Sequence, residues 1–290
     1  ALNRIMIYIN DVPAHGPKGI DISKSKSKTL DKELNVELSA GLNKVQVSVV
    51  NEKGVESIRD VFEVAYDKEP TKPDLYLLAI GISEYDNTSR NLTYAAKDAK
   101  DIAKALEQSE KYNQVHLKII TNKEATKEAI LKEAKFLEQS KIDDHVVLYI
   151  SSHGLLDDQL DYYLATTDVD FNNPSEKGLP YTKVEEMLEK VLSRNRLVLI
   201  DACHSGEIDK EEMMLADANP NQNVKATAKS GAKIVAPKTG LKNSFSYMQA
   251  LFSDVSKGLG ATVISAAGGM EFAYETGEKQ NGIFTHSIIE

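Results

Sequence analysis

Two hydrophobic rhythms divide the chain. Over residues 1–66 apolar and polar positions alternate: Ile5, Ile7 and Ile9, then Val36 and Leu38, then Val45, Val47 and Val49. A period of two sends successive side chains to opposite faces of a strand, so these runs predict half-buried strands. Val61, Phe62 and Val64 suit a last one. Asp11-Val12-Pro13, Ala40-Gly41-Leu42-Asn43 and Asn51-Glu52-Lys53-Gly54 supply turns, and the lysine-rich stretch 23–32 predicts an exposed loop. The expectation for 1–66 is a small all-β accessory domain, half of an immunoglobulin-like sandwich.

Residues 67–74 combine charge with Pro70 and Pro73 and contain no apolar side chain, the composition of a linker. From Leu75 the pattern changes. Short strand-like runs begin at Leu75, Val115, His145, Leu197 and Ala261, and Leu197–Ile200 is continuously apolar. Such runs read as strands buried on both faces of a parallel sheet. Between them lie stretches of helical spacing. The first carries Leu92, Ala95, Ala96, Ala99, Ala103 and Leu106; the second spans 125–139, with Ala129, Ile130 and Leu137 on its apolar side. The third opens at a capping-box pattern, Thr182-Lys183-Val184-Glu185. Alternation of this kind predicts an α/β fold with helices packed on a mostly parallel sheet.

After Gly206 the periodicity fails. Residues 207–243 are rich in Asn, Lys, Ala and Asp, and order is expected again only at an amphipathic stretch, 245–256. The stretch 155–161 reads as a polar loop.

Composition narrows the classes of function. With 290 residues, 41% of them apolar, the chain has ample material for a core, and no apolar run is long enough to span a membrane. A net charge of −9 argues against nucleic acid, whose phosphates want a basic face. A single cysteine cannot form an internal disulfide, so nothing points to an oxidising compartment, and a cytoplasmic location is expected. The chain begins Ala-Leu-Asn, which suggests that further domains precede Ala1.

The chemistry concentrates at two strand ends. One apolar run closes in Asp201-Ala202-Cys203-His204-Ser205-Gly206, the other in Ser151-Ser152-His153-Gly154. Open α/β sheets keep reactive groups at the C-terminal edge of their strands, so a thiol and an imidazole delivered there are a candidate nucleophile and base. The adjacent His204 is the rival base, but neighbouring side chains on extended chain point to opposite faces. Gly154 lets the backbone approach a bound carbonyl closely. Asp201 lies two residues before Cys203, on the same side of extended chain, where a carboxylate would favour a cationic substrate side chain.

The two motifs, with His153 preceding Cys203 by 50 residues, resemble the caspase–metacaspase superfamily of cysteine proteases. The aspartate two residues before the cysteine favours the metacaspase side, in the manner of a prokaryotic, orthocaspase-like member. The resemblance covers 75–290, with a large-subunit part 75–206, an intersubunit linker 207–243 and a small-subunit part 244–290. It implies a cysteine endopeptidase with Cys203 as nucleophile and His153 as general base. The backbone N–H groups of Gly154 and Cys203 would form the oxyanion hole. Asp98 and Ser151 correspond to acidic-pocket positions, although Tyr94 and Lys97 depart from the family's small-residue pattern. Ala266 and Ala267 fall where the small subunit lines the substrate cleft. Together these imply cleavage after Arg or Lys in protein or peptide substrates.

The resemblance also implies a zymogen. Its linker carries Lys225, Lys229, Lys233, Lys238 and Lys242, at which an enzyme of basic preference could cut itself. Calcium, which many metacaspases require, finds no clear motif. Asp157, Asp158, Asp161, Asp168 and Asp170 form no recognisable loop and read as a solvated acidic face, so no cofactor is expected. Monomer or dimer stays open. The competing reading is a catalytically silent caspase-like scaffold module. A nucleotide-binding domain would need a glycine-rich loop after the first buried strand, which Gly81-Ile82-Ser83-Glu84 does not supply.

Overall fold

A computed structural model describes residues 1–157, 159, 161–202, 227–228, 258–266, 274–276 and 281–290. Cys203, His204, Asp158, Ala267, the five linker lysines and the stretch 245–256 lie outside the described residues.

The N-terminal part is one antiparallel sheet. Its strands are β1 (Leu2–Ile9), β2 (Val12–Pro13), β3 (Ile20–Asp21), β4 (Gly41–Asn51) and β5 (Asp60–Tyr66), in the order β2-β1-β4-β5 with β3 also on β1. The β1–β2 turn is tighter than expected. Asn10 and Asp11 both take positive φ, 53° and 66°, which residues of this kind tolerate in a two-residue hairpin turn. Val36 and Leu38 join no ladder. They belong to an irregular segment laid over the sheet, where, with Leu34, they pack against Ile5, Ile7, Ile9 and Val45. Their alternation reflects this one-sided packing. The stretch 40–43 likewise enters β4 instead of closing a turn.

The second part is built on β6 (Leu75–Gly81), β7 (Val115–Thr121), β8 (His145–Ser151), β12 (Asn195–Asp201) and β14 (Ala261–Ser265). All are parallel, in the order β14-β12-β8-β6-β7. Chain order in the sheet is thus 2-1-3-4-5, a doubly wound arrangement whose direction reverses between β6 and β8. Helix α1 (Ala95–Glu107) packs on one face, where Ala99, Ile102 and Ala103 meet Leu77, Tyr149 and Leu199. The opposite face carries α2 (Lys127–Ala134) and α4 (Tyr181–Glu189), the latter preceded by the single turn α3 (Pro174–Lys177). Thr126 caps α2, accepting the Ala129 N–H at 3.3 Å. The capping box expected at Thr182 is not used: α4 already starts at Tyr181, behind Pro180.

The expected loop 155–161 contains a hairpin. Strands β9 (Gly154–Leu156) and β10 (Tyr162–Leu164) pair antiparallel, and β11 (Leu179–Pro180) joins β10. Strands of two or three residues leave too little alternation to read. A further small sheet joins β13 (Thr227–Ala228), β15 (Tyr274–Thr276) and β16 (Asn281–Gly282), and the C-terminal helix spans Ile283–Ile289. The two parts touch. Gly260, at a φ of +63°, lies so close to Val12 that a Cβ would sit 2.8 Å from its Cα. Among the described residues no helix is long and apolar enough to cross a membrane.

Candidate active site

The parallel register fixes which strand ends meet. Gly81, Ser151 and Asp201 stand side by side at the C-terminal edge of β6, β8 and β12. Residues in one row of a parallel sheet point to one face. Ser151 and Asp201 share the parity of Tyr149 and Leu199, whose side chains pack toward α1. The helix closes in because the strand ends in glycine: a Cβ at Gly81 would fall 2.2 Å from the Ala95 carbonyl oxygen.

Helix α1 brings Asp98 to the same face. Asp98, Ser151 and Asp201 are all fully buried. The Asp98 carboxylate accepts the Asn281 Nδ2–H at 2.7 Å, and the Gly282 N–H at 3.2 and 3.1 Å on its two oxygens. Asn281 also donates to Asp101 at 2.8 Å and accepts from Lys97 Nζ at 3.2 Å. Tyr149 feels both carboxylates. Burial, then the charges of Asp201 and Asp98, push its phenol well above the usual tyrosine range. Its hydroxyl pairs with Thr285 Oγ1 at 2.6 Å. Two carboxylates, a serine and a phenol from three elements therefore share one dry region.

His153 follows two residues after Ser151, past a bend in the chain. Its Nε2 lies 2.8 Å from the Arg90 carbonyl oxygen. A carbonyl can only accept, so Nε2 carries the proton and, in the neutral ring, Nδ1 holds the lone pair. The ring is 3% exposed and caged by aromatics, 5.2 Å from Tyr85 and 5.5 Å from Phe171 between centroids. Tyr85 also anchors the backbone, accepting the His153 N–H at 3.2 Å. The histidine carbonyl accepts the Ala165 N–H at 2.8 Å, and Gly154 then opens β9 opposite Leu164. Arg90 lies over the far side of the cage, 5.3 Å from the Phe171 centroid. The imidazole is therefore held in one tautomer and one orientation, at the switch point where doubly wound sheets place their chemistry.

The sequence matches the caspase domain over residues 75–290. The chain belongs to the caspase-domain family. That membership carries a caspase-like cysteine peptidase type and protein substrates. Comparison with curated protein sequences gives no significant match. The crystal structure of protein GSU0716 from Geobacter sulfurreducens shares 18% identity, covering 75% of this chain and 81% of that one at a TM-score of 0.48.

Of the residues expected to act in this caspase domain, His153, Gly154, Ser151, Asp98 and Asp201 gather at one edge of the sheet. Ala266 continues from β14 at that edge, its N–H donating to the Ile200 carbonyl at 2.9 Å. The sequence reading missed Tyr85, Arg90 and Phe171, which hold the histidine. It missed Asn281 and Gly282, which hold Asp98, and also Thr285. Only Tyr149, a phenol inside an otherwise apolar strand, left a visible signal. The acidic stretch after His153 is engaged locally. Asp157 accepts the Gln159 and Asp161 N–H groups, and Asp168 pairs with Lys177 at 3.2 Å. Among the described residues no three His, Cys, Asp or Glu side chains form a metal-holding group.

Proposed function

We propose that the chain is a cysteine endopeptidase that cleaves after Arg or Lys, with Cys203 as nucleophile and His153 as base. The observation that supports this most is register. Ser151 of β8 pairs with Asp201 of β12, and His153 and Cys203 each lie two residues beyond. Adjacent strands run about 4.8 Å apart, so the two segments leave the sheet as neighbours.

The chemistry follows from the fixed tautomer. His153 Nδ1 takes the thiol proton, and the thiolate attacks the scissile carbonyl carbon. The N–H groups of Gly154 and Cys203 stabilise the oxyanion. Collapse breaks the C–N bond, and the protonated Nδ1 gives its proton to the leaving amine. Water then attacks the thioester, with the same nitrogen as base, and releases the acid and the thiol. Asp98, Asp201 and Ser151 form the pocket for the residue before the scissile bond, and Ala266 and Ala267 belong to the cleft wall. A guanidinium or ammonium is attracted there; a substrate aspartate is repelled.

The same preference makes Lys225, Lys229, Lys233, Lys238 and Lys242 the self-processing sites of a zymogen. Residues 1–66 are an accessory β unit joined through 67–74 to the peptidase. Mass spectrometry of purified wild type and Cys203→Ala tests these readings. Cuts after lysine within 207–243 in the wild type only are expected. Cuts that persist in Cys203→Ala, or none in an enzyme that does turn over peptides, would remove self-processing.

A further inference from the structure

We infer that a cavity between the N-terminal sheet and the start of β12, distinct from the peptidase edge, binds a small phosphate-bearing anion. The cavity measures about 560 Å³. The 12–18 turn and residues 35–37 line it on one side, and 189–196 on the other.

Its floor is unusual in charge. Arg196 is 9% exposed, and its guanidinium donates to the carbonyls of Ser193 (2.5 Å), Leu259 (3.0 Å) and Val191 (2.6 Å). Arg194 donates to Ser39 Oγ at 3.1 Å and to the Glu37 carbonyl. Together the acceptors of the two arginines are four carbonyls and one hydroxyl. The three carbonyls around Arg196 orient its guanidinium but do not neutralise it, whereas Arg194 also feels the carboxylates of Asp143 and Glu37. Burial, and then Arg194, lowers the Arg196 pKa to about 10. Burial also lowers that of Arg194, while Asp143 and Glu37 oppose the fall.

A guanidinium has five N–H donors, and the three carbonyls take three of those on Arg196. Lys18 and Lys190 add two more cations to the lining, which also carries His15. The carboxylates of the lining are Glu37 and Glu189, and Asp143 acts on Arg194 from just outside it, so four lysines and arginines face three acids, in a chain of net charge −9. A concave site of this sign attracts a ligand with more than one negative charge. A rigid guanidinium fork beside flexible ammonium groups suits phosphate oxygens. The position also gives such a ligand a target. Arg196 is the second residue of the strand that ends at Asp201, about 17 Å further along β12 at 3.3 Å per residue.

The test is calorimetric titration of the full chain carrying Cys203→Ala with inorganic pyrophosphate, in parallel with Arg194→Gln and the double variant Lys18→Gln/Lys190→Gln. Saturable one-to-one binding is expected, weakening as salt is raised. Loss of a charge-assisted hydrogen bond should weaken it by about 10- to 100-fold in Arg194→Gln. The exposed lysine pair should also weaken it, and these substitutions keep the test valid should Arg194→Gln lower the melting temperature. No saturation up to about 10 mM, a range that would detect even a millimolar Kd, would overturn the inference. Affinity unchanged in both variants would overturn it too.

Discussion

The two sheets obey different rules about polar residues. In β6 all seven positions are buried, and in β8 all but His145. In β5 six of seven are exposed, among them Val61 and Phe62 at 51% and 47%. On the half-open sheet a polar side chain is unremarkable, since water serves it. In a strand buried on both faces, a polar side chain needs a partner or a purpose. The parallel sheet places Ser151, Asp201 and His153 where two of its strands, β8 and β12, end, and gathers Asp98 and Tyr149 around them. The same residue types on β4 or β5 would carry no such meaning.

This contrast can be broken at several points. The largest effect is expected at the proposed dyad. His153→Ala should lower kcat/KM on an Arg-containing fluorogenic peptide by about 10³-fold or more while leaving the melting temperature within a few degrees. A variant that keeps a tenth of its activity would show that the strand-end histidine is structural. Next comes the core. Leu148→Ala, fully buried in β8, should cost about 2–5 kcal/mol in denaturant unfolding. Val61→Ala on β5 should stay within about 0.5 kcal/mol. Equal costs would erase the distinction between the sheets.

The proposed pocket carboxylates sharpen it further. Asp201→Asn should lower kcat/KM for Arg and Lys peptides by about 10- to 100-fold, the worth of one charge-assisted contact. Asp98→Asn should do the same and also lose about 1–3 kcal/mol of stability, because its carboxylate accepts the Gly282 N–H on both oxygens. Reduced stability with an unchanged Arg preference would make Asp98 a clamp for 281–282 alone.

The smallest effect concerns His145, at the opposite edge. Burial lowers its pKa below the ordinary 6.5. Its folded form therefore binds the proton less readily than its unfolded form. The resulting stability is present above about pH 6.5 and falls as pH drops below that value toward the lowered folded pKa. His145→Phe should flatten this slope in melting temperatures taken between pH 7 and pH 5. An unchanged slope would assign the acid sensitivity elsewhere.

Much of this was legible because burial on both faces leaves a strong mark. The central parallel strands β6, β8 and β12 show as apolar runs, and Ser151 and Asp201 as polar interruptions where two of those runs stop, whereas the edge strand β7 carries His116 and Lys118. Helix α1 was visible through its alanines. What the sequence hid was cooperation between distant segments. The hold of Arg90 on His153 is a backbone carbonyl, for which any residue would serve. The bond from Asn281 to Asp98 spans 183 positions with no local pattern. Val36 and Leu38 alternate like a strand because they cover one, and period alone cannot separate the two cases. The strands β9 to β11 were too short to show a period.

The claim at the centre is that a thiol and an imidazole at the ends of β12 and β8 cut peptides beside an acidic pocket. Initial rates with Arg, Lys and Asp fluorogenic peptides, on wild type and Cys203→Ala with and without added calcium, test it most directly. The account predicts turnover of the Arg and Lys peptides by wild type, none by the variant, and none of the Asp peptide by either. Preference for the Asp peptide, or equal rates in wild type and Cys203→Ala, would contradict it.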